Sequence, residues 1–226
     1  MPMKKSLLKL STFGIIYFVV LAVAGYFLIS TEKLPFHLLI NQQHNQYADL
    51  FFKYFTHLGD GLFVVLFLCG VGFFIKFRDT LLGAIAFLIS GIGSQLLKKI
   101  FSSEMRPVTF FEPNVLHFVD GVKINSSHSF PSGHTATAFA FFIFLSYIYN
   151  RNINQFFFVI AACLIAFSRV YLSQHFVFDV IFGSILGVLS FIVALRIVNS
   201  LDYKRLDSKF DIKRLFTKKA VATDTQ

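Results

Sequence analysis

Six stretches of this 226-residue chain run from one charged residue to the next with no Asp, Glu, Lys or Arg between: Lys9 to Glu32, Asp60 to Lys76, Asp79 to Lys98, Lys123 to Arg151, Arg151 to Arg169 and Asp179 to Arg196. A helix that crosses a bilayer needs about 20 mostly apolar residues, within a range of roughly 17–25. Several runs fall slightly short of that, so their helices are expected to continue into the charged borders. Six such runs in so short a chain argue against a helical bundle in water. Composition agrees: 55% of residues are hydrophobic and 15% charged, with 32 Phe, against about 45–50% and 25% in an average soluble domain. The expectation is an all-α polytopic membrane protein with spans near 11–30, 60–76, 80–98, 134–150, 155–172 and 178–198.

Lysine and arginine set the expected orientation, since they accumulate on the cytoplasmic side of short loops. Lys4, Lys5 and Lys9 precede the first span, Lys76 and Arg78 separate the second and third, and Arg151 separates the fourth and fifth. Arg196, Lys204, Arg205, Lys209, Lys213, Arg214, Lys218 and Lys219 follow in or after the sixth. With six spans all four regions share one side, so both termini are expected in the cytoplasm of a cell (inner) membrane. Residues 1–199 then form one membrane domain and 200–226 a basic tail beside anionic headgroups. The net charge of +9 is thereby explained by topology, and no soluble domain remains to present a basic face to nucleic acid. The apolar run beginning near Leu10 extends through Ile29, longer than a usual signal core, so an uncleaved first span is expected. Cys69 and Cys163 fall inside spans as small hydrophobes and offer no disulfide framework.

Between the first and second spans, Leu50, Phe51, Tyr54 and Phe55 recur at helical spacing. Short interfacial helices on the outer face are expected over Thr31–Asp60. His37, His44 and His57 lie there without a partner at metal-ligand spacing. The long connection from Pro107 to Phe130 exceeds the usual length of a structureless loop. It is a candidate for substrate access, with Phe110, Phe111, Leu116 and Phe118 toward acyl chains and Asp120 and Lys123 toward water.

Ionisable groups bordering apolar spans are candidates for function, and three sets of them fall on the face opposite the basic loops. Lys99 and Arg106 are seven apart, and Pro107 disfavours helix at Arg106. A lysine from a helix end and an arginine from the loop can therefore grip one anion from two directions. Both also fit snorkelling interfacial cations, the reading that Lys98 is given. Pro131-Ser132-Gly133-His134 opens an apolar helical run. Its turn presents free N–H groups and a dipole to an anion, with Ser132 as hydroxyl donor, Gly133 for close backbone approach and His134 as a titratable group. An ordinary cap by Ser132 is the competing account. Ser168-Arg169 precedes His175 and Asp179, which at four residues apart are expected to share a helical face. Asp179 would then orient His175 and leave the other ring nitrogen free to attack, while Arg169 neutralises charge developing on a phosphoryl group.

Lys99-x6-Arg106-Pro107, Pro131-Ser132-Gly133-His134 and Ser168-Arg169-x5-His175-x3-Asp179 resemble the three-part signature of the phosphatidic acid phosphatase type 2 superfamily, integral-membrane lipid phosphatase branch. The resemblance covers about residues 99–179. It implies a metal-independent lipid phosphatase or pyrophosphatase, without cofactor, in which His175 becomes a phosphohistidine, Asp179 orients it and His134 protonates the leaving oxygen. Lys99, Arg106, Ser132, Gly133 and Arg169 would bind phosphate. The lipid substrate is left open among undecaprenyl diphosphate, which is slightly preferred, phosphatidylglycerol phosphate, phosphatidic acid and a lipid A phosphate. A lipid phosphotransferase using the same phosphohistidine, or a non-catalytic lipid-phosphate binding or transport protein, are the alternatives.

Overall fold

The computed structural model describes residues 7–72 and 74–201. Eight helices organise them: α1 Ser11–Ser30, α2 Lys33–Asn41, α3 Gln46–Phe55, α4 Gly61–Val71, α5 Phe77–Ile100, α6 Gly133–Ile148, α7 Asn152–Tyr171 and α8 Val177–Ser200, with 3-10 turns at Thr56–Gly59 and Pro107–Thr109. Lys4, Lys5 and the tail expected over 200–226, apart from Ser200 and Leu201, lie outside the described residues.

α6 is the hub. Every residue from Thr135 to Ser146 is buried, as expected for a helix that is apolar on all sides. α8 packs against it through small residues. A Cβ at Gly183 would sit 2.6 Å from the Ser132 carbonyl oxygen, and one at Gly187 would collide with that of Ala136. Close backbone approach through small residues is the packing that helices use where lipid gives no hydrophobic drive to associate. α1 is peripheral. It buries Phe13 and Tyr17, while Ile15, Phe18, Val19, Val23, Tyr26 and Ile29 are exposed, an apolar outer surface suited to lipid. Gln155 ties α1 down, accepting from the Phe13 N–H (3.1 Å) and donating to the Lys9 carbonyl (2.6 Å).

The expected spans fall on helices, with differences in length. α1, α5, α7 and α8 are long and apolar enough to cross a membrane. α4 has 11 residues and α6 has 16, or about 16 and 24 Å at 1.5 Å per residue, against a hydrocarbon core of about 30 Å. α4 meets the preceding Gln46–Gly59 segment at a 59° bend, and the two together pass as one broken span. Two physical reasons explain the shortening. Gly70 and Gly72 weaken the helix where α4 ends, and α6, enclosed by protein, has no lipid thickness to match. The helical segments expected over Thr31–Asp60 are α2, α3 and the first 3-10 turn.

Four helix ends meet at one end of the bundle. The Ser132 N–H at the start of α6 donates to the Asp179 carbonyl at the start of α8 (3.0 Å), and a short link joins the end of α7 to α8. The connection from α5 to α6 lies over them.

Candidate active site

The α7–α8 link is built around a reversal. The Gln174 and His175 N–H groups both donate to the Arg169 carbonyl (2.9 and 3.0 Å), and Ser173 takes φ +52°, the left-handed region that side chains seldom enter. The Ser173 hydroxyl is held by Asn41 (3.0 Å) and His37 (3.1 Å) from α2. That reversal turns His175 inward, where it is 2% exposed.

Asp179 reaches His175 by a different route from the one expected. His175 precedes the helix, so the two do not share a helical face. Asp179 instead folds back as an N-terminal capping residue of α8, its Oδ2 accepting from the Phe176 N–H (3.0 Å) and from the Ser129 hydroxyl. The same oxygen stands 3.5 Å from His175 Nδ1, which has no hydrogen-bond partner. The pair is thus in electrostatic contact and a small closure from a hydrogen bond. Burial pulls the His175 pKa down to about 3, opposed by Asp179 and reinforced by Arg106 and Arg169. A neutral ring near neutral pH is what a nitrogen nucleophile requires.

Both signature arginines are buried, each 7% exposed. Arg106 Nε donates to the Ser127 carbonyl (2.9 Å), and its NH1 to the Gln174 carbonyl (3.0 Å) and side chain (3.3 Å). Burial lowers its pKa, Asp179 opposing. Arg169 NH1 donates to the Thr56 hydroxyl (2.9 Å), while its Nε is buried with no partner. The two guanidinium charges repel each other. Burying a charge costs several kcal/mol unless it is paired, so two buried cations with an unused donor make a site that favours an anion.

His134 lies within electrostatic reach of His175, Arg169, Lys98 and His57, so the two signature histidines come together. Ser132 is fully buried and caps α6, accepting from the Thr135 N–H (3.4 Å) and hydroxyl (2.9 Å). Its own proton remains available to a ligand, so capping and anion binding are compatible. Gly133 is half-buried, and a Cβ there would meet Ser94 Oγ at 3.5 Å, an ordinary contact. Around the helix ends a side chain would collide at Gly183, Gly187 and Gly59, where a Cβ would lie 3.0 Å from the His134 carbonyl.

The lysine differs from expectation. Lys99 is exposed. Its neighbour Lys98 is the one turned toward the cluster, feeling the charges of Arg106, Asp179 and Arg169 and donating to the His128 carbonyl (2.9 Å). A helix rotates about 100° per residue, so adjacent lysines cannot both face the site, and spacing to Arg106 alone cannot say which does. Three further residues escaped sequence reading: Ser129 on Asp179, Thr56 on Arg169 and Gln174 on Arg106. Ser129 stands three before Ser132, and only the fold pairs it with Asp179.

The loop residues divide. Leu116 is buried, Phe110 packs edge-on to Phe176 (5.6 Å) and Phe111 lies near His37 (5.9 Å), while Asp120 and Lys123 are exposed. His37 is buried and hydrogen-bonded. His44 differs more: along the sequence it has no partner, yet in the fold it stacks on His117 with ring centroids 3.8 Å apart.

The profile of the PAP2 superfamily matches residues 80–202, the stretch that supplies every catalytic and phosphate-binding candidate above. The chain belongs to the PAP2 superfamily. Among curated relatives, phosphatidylglycerophosphatase B of Bacillus subtilis is 33% identical over 147 residues, 60% of this chain and 68% of that one. A "Probable sphingosine-1-phosphate phosphatase" of Dictyostelium discoideum is 27% identical over 183 residues, 75% of this chain. The alignment spans only 43% of the Dictyostelium protein. Among solved structures, Aquifex aeolicus LpxE superposes with a TM-score of 0.65 at 27% identity, over 73% of this chain and 94% of that one. A transmembrane PAP2-type phosphatidylglycerolphosphate phosphatase from Bacillus subtilis gives 0.61 at 23%, over 87% and 98%, a likeness of fold. The apolar helices and the fold shared with a transmembrane PAP2-type structure identify a multi-pass membrane protein.

Proposed function

We propose that this PAP2 protein hydrolyses a lipid phosphate through a phosphohistidine on His175. The observation that carries the reading is the buried pair Arg106 and Arg169 beside a neutral, nearly inaccessible histidine. A protein that merely grips headgroups has no need of an oriented nucleophile.

In this scheme an imidazole nitrogen of His175 forms a bond to phosphorus as the ester P–O bond breaks. His134 gives its proton to the departing lipid oxygen. Asp179 stabilises the imidazolium that develops, and Arg106, Arg169, Lys98 and the Ser132 hydroxyl hold the phosphoryl oxygens as charge spreads over them. His134 then takes a proton from water, whose oxygen attacks phosphorus and breaks the N–P bond, releasing inorganic phosphate. No step uses a metal, so a folded, chelator-treated enzyme should keep its initial rate; a loss restored by added metal that His44→Ala and His117→Ala also show would contradict the scheme.

The substrate class follows from membrane helices around an anion site. The relatives' names favour a lipid phosphomonoester such as phosphatidylglycerol phosphate, with undecaprenyl diphosphate, phosphatidic acid and a lipid A phosphate in the same test. We further propose six crossings, with α4 and α6 completing the set, α2 and α3 as outer-face helices, both termini in the cytoplasm and the site at the outer face of the cell membrane. The basic loops support that orientation. The test is phosphate release from a panel of lipid phosphates and diphosphates by detergent-purified wild type and His175→Ala. Release that depends on His175 supports the reading. Equal release from both proteins, or none from wild type on any lipid, contradicts it.

A further inference from the structure

A second cluster of histidines and a carboxylate lies away from His175 and takes no part in the proposed reaction. His44 precedes α3, Asp49 sits in its first turn, and His117 comes from the α5–α6 connection, some seventy residues later. One ligand atom from each lies within 4.8 Å of the others. His117 Nε2 is 2.8 Å from Asp49 Oδ2.

The supports around the three are more specific than an exposed histidine needs. Asn41 bonds the His117 backbone on both sides, donating to its carbonyl and accepting from its N–H (both 2.8 Å). Asn45 caps α3 through the Tyr47 and Ala48 N–H groups (3.2 and 3.0 Å), which fixes Asp49 one turn on. Tyr171, at the end of α7, donates to Asp49 Oδ1 (2.6 Å) and accepts from the Asn45 N–H (3.3 Å). The carboxylate is thus oriented from behind on one oxygen, with the other turned to His117. A hydrogen bond to the outer oxygen of a ligating carboxylate is the usual second layer of a metal site.

We propose that His44, Asp49 and His117 bind a divalent transition metal of the zinc class. Two imidazoles and one carboxylate suit Zn²⁺, leaving one position to water. Tetrahedral bonds of about 2.0–2.2 Å place ligand atoms roughly 3.3–3.6 Å apart, so the His44 ring need close by only about an ångström, swinging off its stack, while the His117–Asp49 pair opens from 2.8 Å. The bound ion replaces the proton between His117 and Asp49. It fastens three segments: the loop whose base holds Arg106, the α2–α3 link, and the end of α7 that carries Arg169. The site is therefore structural, and its chemistry is separate from phosphoryl transfer.

The experiment uses the tag-free full chain in detergent, stripped with chelator and titrated with Zn²⁺. Bound metal and the unfolding temperature are read in wild type, His44→Ala, His117→Ala, Tyr171→Phe and His175→Ala. The expected result is about one Zn²⁺ per chain, an unfolding temperature that climbs with metal concentration, and loss of both in His44→Ala and His117→Ala. Tyr171→Phe should weaken binding about 10–100-fold, and His175→Ala should bind as wild type does. Co²⁺ in place of Zn²⁺ should give tetrahedral visible absorption that vanishes in His117→Ala. Three results would overturn the proposal: no stoichiometric binding by folded wild type, unchanged binding in His44→Ala and His117→Ala, or binding that disappears in His175→Ala.

Discussion

Two histidine–carboxylate pairs stand among the described residues, and the better-formed one is not the catalytic candidate. His117 and Asp49 meet at 2.8 Å with side chains 32% and 17% exposed, whereas His175 and Asp179 are 3.5 Å apart and 2% and 4% exposed. What separates them is their surroundings. Arg106, Arg169 and Lys98 act electrostatically on the inner pair, and Asp49 is instead held by a tyrosine hydroxyl. A short hydrogen bond is cheap to form at a surface. Buried cations without an anion are not, so charge density locates the chemistry better than pair geometry does.

The comparison breaks most sharply by deletion. His175→Ala should lower phosphate release by about 10⁴-fold or more, while His117→Ala, a surface change, should stay within about threefold. A similar loss in both would erase the distinction. Asp179→Asn keeps the size but not the charge, and is expected to cost about 10²–10⁴-fold in kcat. Asp49→Asn should leave kcat near wild type, measured on the same lipid. A finer test divides the adjacent lysines. Lys98→Ala removes a charged donor worth roughly 10–10²-fold in kcat/KM, and Lys99→Ala should be nearly silent; the reverse order would mean that spacing from Arg106 is the better guide.

The smallest expected effect is on stability. His175 and His37 have pKa values held down to about 3 and about 4, chiefly by burial, from an ordinary 6.5. Between those limits the unfolded chain binds protons that the folded one does not, so stability falls as pH drops below about 6.5 and is full above it. Thermal unfolding in detergent at pH 8, 6 and 4 should show a declining midpoint below 6.5, and a flat profile would contradict the burial of these rings.

How much of this was legible in the chain depends on the distance over which the cause acts. The charge-free runs placed all six main helices, and the 11–30 expectation coincides with α1. Their lengths were less legible. Whether α6 faces lipid or protein is decided by neighbours such as Gly183 and Gly187 on α8, not by its own composition. At the candidate site, His134, His175, Asp179, Arg106 and Arg169 were readable as candidates because each sits at or near the border of an apolar run. Ser129, Thr56 and Gln174 were not, since serine, threonine and glutamine are common in loops and only a folded partner distinguishes them. His44 shows the same limit: metal-ligand spacing along the chain is blind to a partner some seventy residues away. Asp179 was expected on a helical face shared with His175, whereas a helix cap brings it there.

The central claim is that His175 carries the phosphoryl group, and trapping tests it most directly. Wild type and His175→Ala would be mixed with lipid labelled by ³²P at the terminal phosphate, quenched within the first turnover and tested for bound label. The account predicts label on wild type alone, stable in base and lost in mild acid as a phosphoramidate is. Label that survives acid, or persists in His175→Ala, would contradict it.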